Sequence, residues 1–146
     1  MFISIDFLLI IVLSLQKNST MNKRPIPSKQ DPIKVGRLKL TVARKINRKC
    51  ADIYLTPNYL KHIERRHKTE LEKVGLSAID FVKAVVKGYN QIRAGSGDSI
   101  LLVIFNGDLN YTAGIDLCLS GDYWEVKTAE PRKTEDIVKR KLLWEK

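Results

Sequence analysis

The sequence has little cysteine and little histidine, and it contains none of the common motifs of cofactor-dependent enzymes. Its 146 residues include two cysteines, Cys50 and Cys118, far apart and in no spacing typical of zinc ligands. Sparse cysteine favours a reducing compartment, and whether these two form a disulfide stays open. There is also no phosphate-binding glycine loop, no HExxH and no GxSxG. We therefore expect no metal and no cofactor.

The longest apolar run, MFISIDFLLIIVLSL, is interrupted by Asp6 and is too short to cross a bilayer comfortably as a helix. It lacks the basic start and the small-residue cleavage site of a signal peptide. A second methionine, Met21, opens a polar segment that contains prolines. We expect translation to begin at Met21, which makes residues 1–20 an extension from a mis-assigned start at Met1, although a weak secretion signal is the alternative. The prediction is a cytoplasmic protein without a membrane partner for its domain.

The net charge of +10 is concentrated near the N-terminus. Residues 21–50 hold ten Lys or Arg against one acid, a local charge of +9 (10 − 1), whereas residues 51–146 hold fifteen against fourteen, +1 (15 − 14). Such a basic strip attracts phosphate groups without sequence specificity, and a solubilising surface is the alternative. We predict an apolar extension (1–20), a basic arm with prolines (21–35) and one domain (36–146), a length that can bury a core without disulfides.

Apolar spacing and turn signals predict an α+β domain. GRLKLTV and CADIYL read as the two strands of an N-terminal β-hairpin. Two consecutive helices follow, one from Thr56-Pro57 to about Val74 and one that begins after Ser77, both with typical capping residues. YNQIRA, SILLVIF, YTAGIDLCL and YWEVKTA then indicate an antiparallel meander of three to four strands, and TEDIVKRKLLWE a C-terminal helix with Thr134 as its cap. ILLVIF is apolar on both faces, which predicts a central strand that is covered on each side.

One histidine stands out in the first of these helices. Leu60, Ile63, Leu71 and Val74 form an apolar stripe at helical spacing, and His67 lies on that stripe, whereas His62 lies on the flank. Imidazole titrates near neutral pH and suits general acid–base chemistry, although a lone histidine on an apolar face is more often a hydrogen-bonded core residue. His67 is therefore the favoured catalytic candidate, and His62 is the alternative.

A second candidate feature is the segment YWEVKTAEPRK. Strand alternation places Thr128 toward the helices near the strand end, where its hydroxyl could meet His67; a simple bond to backbone is the alternative. Lys127, Arg132, Arg140 and Arg66 add cations that suit a phosphate group, with arginine binding it bidentately, or that form a solvated charged face.

The stretches LKHIERRH, GLSAIDFVKAVVKG and VKTAEP, with a meander between the last two, resemble the barnase, EndoU, colicin and RelE-like nuclease superfamily over about residues 50–146. Its phage-encoded and polymorphic-toxin branches are the most similar. The resemblance implies an endoribonuclease, toxin-like or phage-associated, that needs no metal and uses the ribose hydroxyl to attack the adjacent phosphate. It implies His67 as general base or acid, Thr128 positioning the phosphate, and Lys127 or Arg66 stabilising its charge. A second histidine is missing from the strands, so catalysis would use His67 with Lys, Arg, Thr or Tyr111. The candidates for binding the substrate are Arg66, Tyr111, Arg132 and Arg140.

The implied partners are RNA and an inhibitor or immunity protein. Two other functions stay open at the level of sequence. One is a non-catalytic nucleic-acid-binding module, and the other is a structural interaction protein of phage or mobile-element origin.

Overall fold

Seven strands form one mixed sheet in the computed structural model, which describes residues 31–146. The strands are β1 (Ile33–Arg37), β2 (Asp52–Leu55), β3 (Gln91–Ala94), β4 (Ile100–Ile104), β5 (Leu109–Leu117), β6 (Trp124–Lys133) and β7 (Leu142–Glu145). Within the same range the helices are α1 (Leu40–Ile46), α2 (Pro57–Arg66), α3 (Lys68–Val74), α4 (Ala78–Gly88) and α5 (Thr134–Val138). The predicted α+β class is confirmed.

The predicted extension (1–20) and most of the predicted arm (21–35) lie outside the described residues. Pro32–Lys146 form one compact unit, and β1 begins within the segment predicted as an arm. Seven of the ten cations in the basic strip belong to this unit, in β1, α1 and the segments beside them: Lys34, Arg37, Lys39, Arg44, Lys45, Arg48 and Lys49.

The strands are ordered β1-β2-β6-β5-β4-β3-β7 across the sheet. β2 and β6 run parallel, and the other neighbours run antiparallel. β3, β4, β5 and β6 therefore pair in chain order. The arrangement as a whole differs from the predicted one, because the structure departs from the prediction at both ends of the domain.

At the N-terminal end, the predicted strand GRLKLTV is wrong. β1 ends at Arg37, and α1 occupies the next stretch, with Val42, Ala43 and Ile46 buried at helical spacing and Leu40 about half exposed. The alternation of Leu38, Leu40 and Val42 was compatible with both periods over so short a segment, and burial follows the helical one.

At the C-terminal end, the predicted helix TEDIVKRKLLWE is cut to its first turn. α5 covers only Thr134–Val138, and Leu142–Glu145 instead form β7 against β3. Thr134 was expected to cap this helix. Its hydroxyl instead donates to the carbonyl of Gly107, and α5 has no side-chain cap. The apolar residues of this segment have helical spacing, but pairing with the free edge of β3 stabilises a strand there.

The helix that carries the histidines is interrupted. It begins as predicted, with Thr56 accepting a hydrogen bond from the N–H of Tyr59, and closes at Gly75 with φ 75°. Between these ends His67 has φ −121° and ψ 24°, so α2 stops before it and α3 starts after it. The bonds from His67 N to Ile63 O and from Leu71 N to His67 O, each 2.9 Å, keep the two helices nearly continuous.

The main core lies between one face of the sheet and helices α1 to α4. α4 is capped by Ser77, as predicted, and buries Phe81, Val82 and Val85 against the sheet. The other face is covered locally by α5, whose Ile137 packs with Leu101 and Val103. β4 is therefore buried on both faces, which confirms the interpretation of its continuous apolar sequence.

No helix of residues 31–146 is both long enough and apolar enough to cross a membrane.

Both cysteines are free, which answers the question of their pairing. Cys118 lies in the turn between β5 and β6, and its Sγ is 3.1 Å from Oγ of Ser120. Desolvation opposes ionisation of the thiol, but the Ser120 hydroxyl and the backbone N–H groups of residues 121–123 outweigh it and lower the pKa of Cys118 to about 7.

We therefore expect iodoacetamide to alkylate Cys118 with a pH midpoint of about 7, because the thiolate is the reacting form. Mass spectrometry of peptides quenched across a pH series would measure this midpoint. Ser120→Ala removes one hydrogen bond and is expected to move the midpoint upward. A wild-type midpoint at or above about 8.5, the ordinary value for cysteine, would contradict the prediction.

Candidate active site

The candidate site lies along the part of β6 that extends beyond β2. β2 pairs with β6 only at Trp124 and Glu125, so the edge of β6 from Val126 onward faces no strand among residues 31–146. Helices α2 and α3 contact β6 instead. Pro131 lies in this open stretch, which suits a residue that has no N–H to donate to a neighbouring strand. The edge of β6 is thus free of strand pairing where the candidate residues lie.

A bulge marks the start of this stretch. Gly114 of β5 is opposite Thr128, and the next residue, Ile115, is opposite Val126, so Lys127 is an extra residue in β6. Bulges redirect side chains and are frequent beside active sites. β6 then continues to Lys133, so the prediction that the strand ends at VKTA is wrong.

His67 points its ring at this edge. The residue is only 7% exposed, and its Nδ1 lies 3.2 Å from Oε1 of Glu130 and 3.8 Å from Oε2 of Glu70. Neither contact is aligned as a hydrogen bond, and Nδ1 has no hydrogen-bond partner among the described residues. Burial confirms that His67 belongs to the apolar stripe of Ile63 and Leu71, while its polar atom faces a carboxylate.

Glu130 is held firmly in place. Its Oε2 lies 2.7 Å from Nη2 of Arg132, and its backbone carbonyl accepts a 2.7 Å hydrogen bond from the hydroxyl of Thr112. The side chains of Glu130 and Arg132 are 20% and 21% exposed, so the pair is shielded without being sealed from solvent. The Glu130 carboxylate thus lies between the His67 ring and the Arg132 guanidinium, within 3.2 Å of Nδ1 on one side and 2.7 Å of Nη2 on the other.

Lys127 forms a second group of charges on the same strand. Its Nζ lies 2.9 Å from Oε1 of Glu125, 3.3 Å from the hydroxyl of Tyr59 and 4.3 Å from the centre of the Tyr59 ring. Desolvation disfavours the charged ammonium, but these hydrogen bonds and the attraction of Glu125 outweigh it and raise the pKa of Lys127. At neutral pH Lys127 is a fixed cation rather than a base.

Three other predicted residues, Thr128, Arg66 and His62, do not contact the His67–Glu130 pair in the way that we expected of Thr128. Thr128 follows Lys127 at the bulge opposite Gly114, and the contact of His67 with β6 is made to Glu130. Arg66 is exposed at the end of α2, directly before His67. The ring of His62 lies 6.3 Å from that of Tyr59, whose hydroxyl contacts Lys127. Each of the three is thus next to a residue of the region formed by His67, Lys127 and Tyr59.

Tyr111 and Arg140 do not belong to that region. The Tyr111 ring packs on Phe81 at 4.9 Å and is part of the main core. The carbonyl of Arg140 accepts a hydrogen bond from Arg93 of β3, and β4 and β5 separate β3 from β6. Their environments are those of structural residues.

Sequence reasoning missed Glu130, Glu70, Glu125 and Tyr59. Two patterns could have found the first two. Glu130 and Arg132 alternate along a strand and so share a face, and Glu70 lies three residues after His67, one helical turn away. No local pattern indicates that His67 and Glu130 meet, because that contact depends on how α2 and α3 pack on β6.

No known protein-family model matches the chain, and no curated protein sequence matches it either. The resemblance to the nuclease superfamily therefore stays a prediction, and the site has to be interpreted from its own geometry.

Proposed function

We propose that this chain is an endoribonuclease that cleaves RNA by proton transfer at His67 and has no requirement for a metal ion. The observation that supports this most is the sequence of contacts His67–Glu130–Arg132 at an edge of β6 without a strand neighbour, with Nδ1 of His67 3.2 Å from Glu130 Oε1. A carboxylate beside a histidine sets its tautomer and orientation, which is the usual way to prepare a base for catalysis.

The reaction would be attack of a ribose 2′-oxygen on the adjacent phosphorus. Glu130 favours the tautomer of His67 that carries its proton on Nδ1, which leaves the lone pair of Nε2 to accept the proton of the 2′-hydroxyl. The new O–P bond forms as the bond to the 5′-oxygen breaks, and the leaving oxygen takes a proton from water. The hydroxide left behind takes the proton that His67 accepted, which returns the ring to its neutral form. The products are a 2′,3′-cyclic phosphate and a free 5′-hydroxyl.

Charge around the site would support this reaction. The fixed ammonium of Lys127 and the guanidinium of Arg132 can stabilise the extra negative charge on the phosphate in the transition state. Thr128 lies between them in sequence, where its hydroxyl could position a phosphate oxygen. Exposed cations of the basic strip, among them Lys39, Arg44, Lys45 and Lys49, would add attraction for RNA that does not depend on its sequence.

The test is an RNA cleavage assay with the purified full chain in EDTA. We expect cleavage of single-stranded RNA with 2′,3′-cyclic phosphate or 3′-phosphate ends, identified by mass spectrometry of the fragments. DNA of the same sequence lacks the 2′-hydroxyl and is expected to remain intact. Binding of RNA that weakens with salt but leads to no cleavage would contradict the proposal and favour the nucleic-acid-binding alternative.

A further inference from the structure

We propose that His67, Glu70 and Glu130 bind a divalent transition-metal ion of the zinc class. One ligand atom from each side chain lies within 4.8 Å of the other two. From Nδ1 of His67, the distances to the carboxylate oxygens of Glu130 and Glu70 are 3.2 Å and 3.8 Å. Bonds of roughly 2.0–2.2 Å in a tetrahedron place zinc ligands about 3.4 Å apart, so small side-chain movements complete the site.

The buried nitrogen of His67 distinguishes this group from an ordinary acidic cluster. The His67 side chain is 9% exposed, and Nδ1 is buried, aimed at the two carboxylates and without a hydrogen-bond partner among the described residues. An unpaired buried polar atom is costly, and a bound metal ion would satisfy it.

The surroundings suit the ion as well. His67 and Glu70 are separated by one helical turn, a spacing that brings both ligands to one side of α3. Arg132 binds Oε2 of Glu130, so that Oε1 is free to point toward His67. Hydrogen-bond partners of this kind orient the carboxylates that bind metal ions. Imidazole with two carboxylates favours Zn²⁺ over Mg²⁺, which prefers oxygen ligands alone.

The consequence for activity rests on the proposed function. A metal ion on Nδ1 displaces the proton from that nitrogen, and the neutral ring then carries its proton on Nε2. With a proton there, Nε2 has no lone pair to accept one from the 2′-hydroxyl. Zinc would therefore inhibit RNA cleavage and not assist it.

Isothermal titration of the full chain, without a histidine tag, with ZnCl₂ tests the site directly. We expect one tight zinc ion per chain that millimolar Mg²⁺ does not displace. Glu70→Gln is expected to weaken zinc binding by about 10-fold or more, since a direct ligand is lost. Glu72→Gln, an exposed residue of the same helix, serves as the matched control and is expected to bind like wild type.

Nitrogen NMR gives a second readout that does not depend on activity. The chain has only two histidines, so long-range proton–nitrogen spectra can resolve both rings, with His62→Gln to assign them. We expect zinc to shift Nδ1 of His67 and to leave the His62 ring unchanged. Equal zinc affinity in wild type and Glu70→Gln, or a shift confined to His62, would overturn the site.

The cleavage assay then separates the two proposals. Each variant is compared with its own rate in EDTA, and zinc is expected to inhibit wild type more strongly than Glu70→Gln at the same concentration. Tight zinc binding with the expected loss in Glu70→Gln, but no RNA cleavage under any condition, would support the site and remove the proposed function. RNA cleavage that saturating zinc leaves unchanged would overturn the inhibition.

Discussion

Replacing His67 with alanine is expected to slow RNA cleavage by about 10²–10⁴-fold, the usual contribution of a general base. The wild-type ring accepts the proton of the attacking hydroxyl, and no other described residue at this edge combines a ring nitrogen with an orienting carboxylate. Single-turnover cleavage of a short fluorescent RNA in EDTA measures the change. Glu130→Gln keeps the shape but loses the charge that sets the tautomer, so a smaller loss is expected.

Two further experiments show whether His67 acts in the reaction or only supports the fold. Free imidazole in the buffer is expected to restore part of the activity of His67→Ala, because the substitution leaves space where the buried ring was. His67→Gln, with a larger polar side chain, serves if the alanine variant unfolds. Glu64→Gln, on the exposed side of α2, is the matched control for Glu130→Gln.

A folded His67→Ala variant that retained full activity would rule out His67 as the general base. Loss of activity in His62→Ala alone would transfer the role to the other histidine, whose ring lies near Tyr59. Loss in His67→Ala without rescue by imidazole, together with a lower melting temperature, would indicate a structural residue.

The parts of the fold that the sequence predicts well are those with strong local signals. Ser77 caps α4 and Thr56 caps α2, and both bonds are present in the structure. The apolar sequence of β4 predicted burial on both faces, which the packing of Ile100 and Leu102 on one side and Leu101 and Val103 on the other explains. Such signals depend on neighbouring residues alone.

The parts that were predicted wrongly depend on distant contacts. Leu142–Glu145 become a strand because β3 offers a free edge, and nothing within those four residues encodes that partner. The alternating pattern of GRLKLTV ends at Val42, where the helical pattern of α1 has already begun, and packing decides between them.

In the candidate site, too, the local feature was predicted correctly and the distant contact was not. His67 could be selected from sequence because a polar ring interrupts an apolar stripe. Its contact on β6 was expected at Thr128, because strand alternation placed that side chain toward the helices near the predicted strand end. A strand whose edge has no strand neighbour tolerates proline, so β6 continues and brings Glu130 to the ring.

Replacing Trp124 with alanine is expected to lower the free energy of unfolding by about 3–5 kcal/mol. Trp124 begins β6, is 1% exposed, and lies in the register between Ile53 of β2 and Leu117 of β5. Its indole N–H also donates a 2.9 Å hydrogen bond to the carbonyl of Lys49, which joins β6 to the segment after α1. The substitution removes a large buried side chain and leaves that carbonyl without its donor.

Urea unfolding followed by far-ultraviolet circular dichroism measures this loss without relying on tryptophan fluorescence. Trp124→Phe keeps a buried ring but not the hydrogen bond, so it is expected to cost less than alanine. Leu119→Ala removes an apolar side chain that is fully exposed and is expected to change stability by at most about 0.5 kcal/mol. If Trp124→Ala cost no more than Leu119→Ala, β6 could not depend on Trp124 for its place between β2 and β5. The position of Glu130 and Arg132, later on the same strand, would then need another anchor.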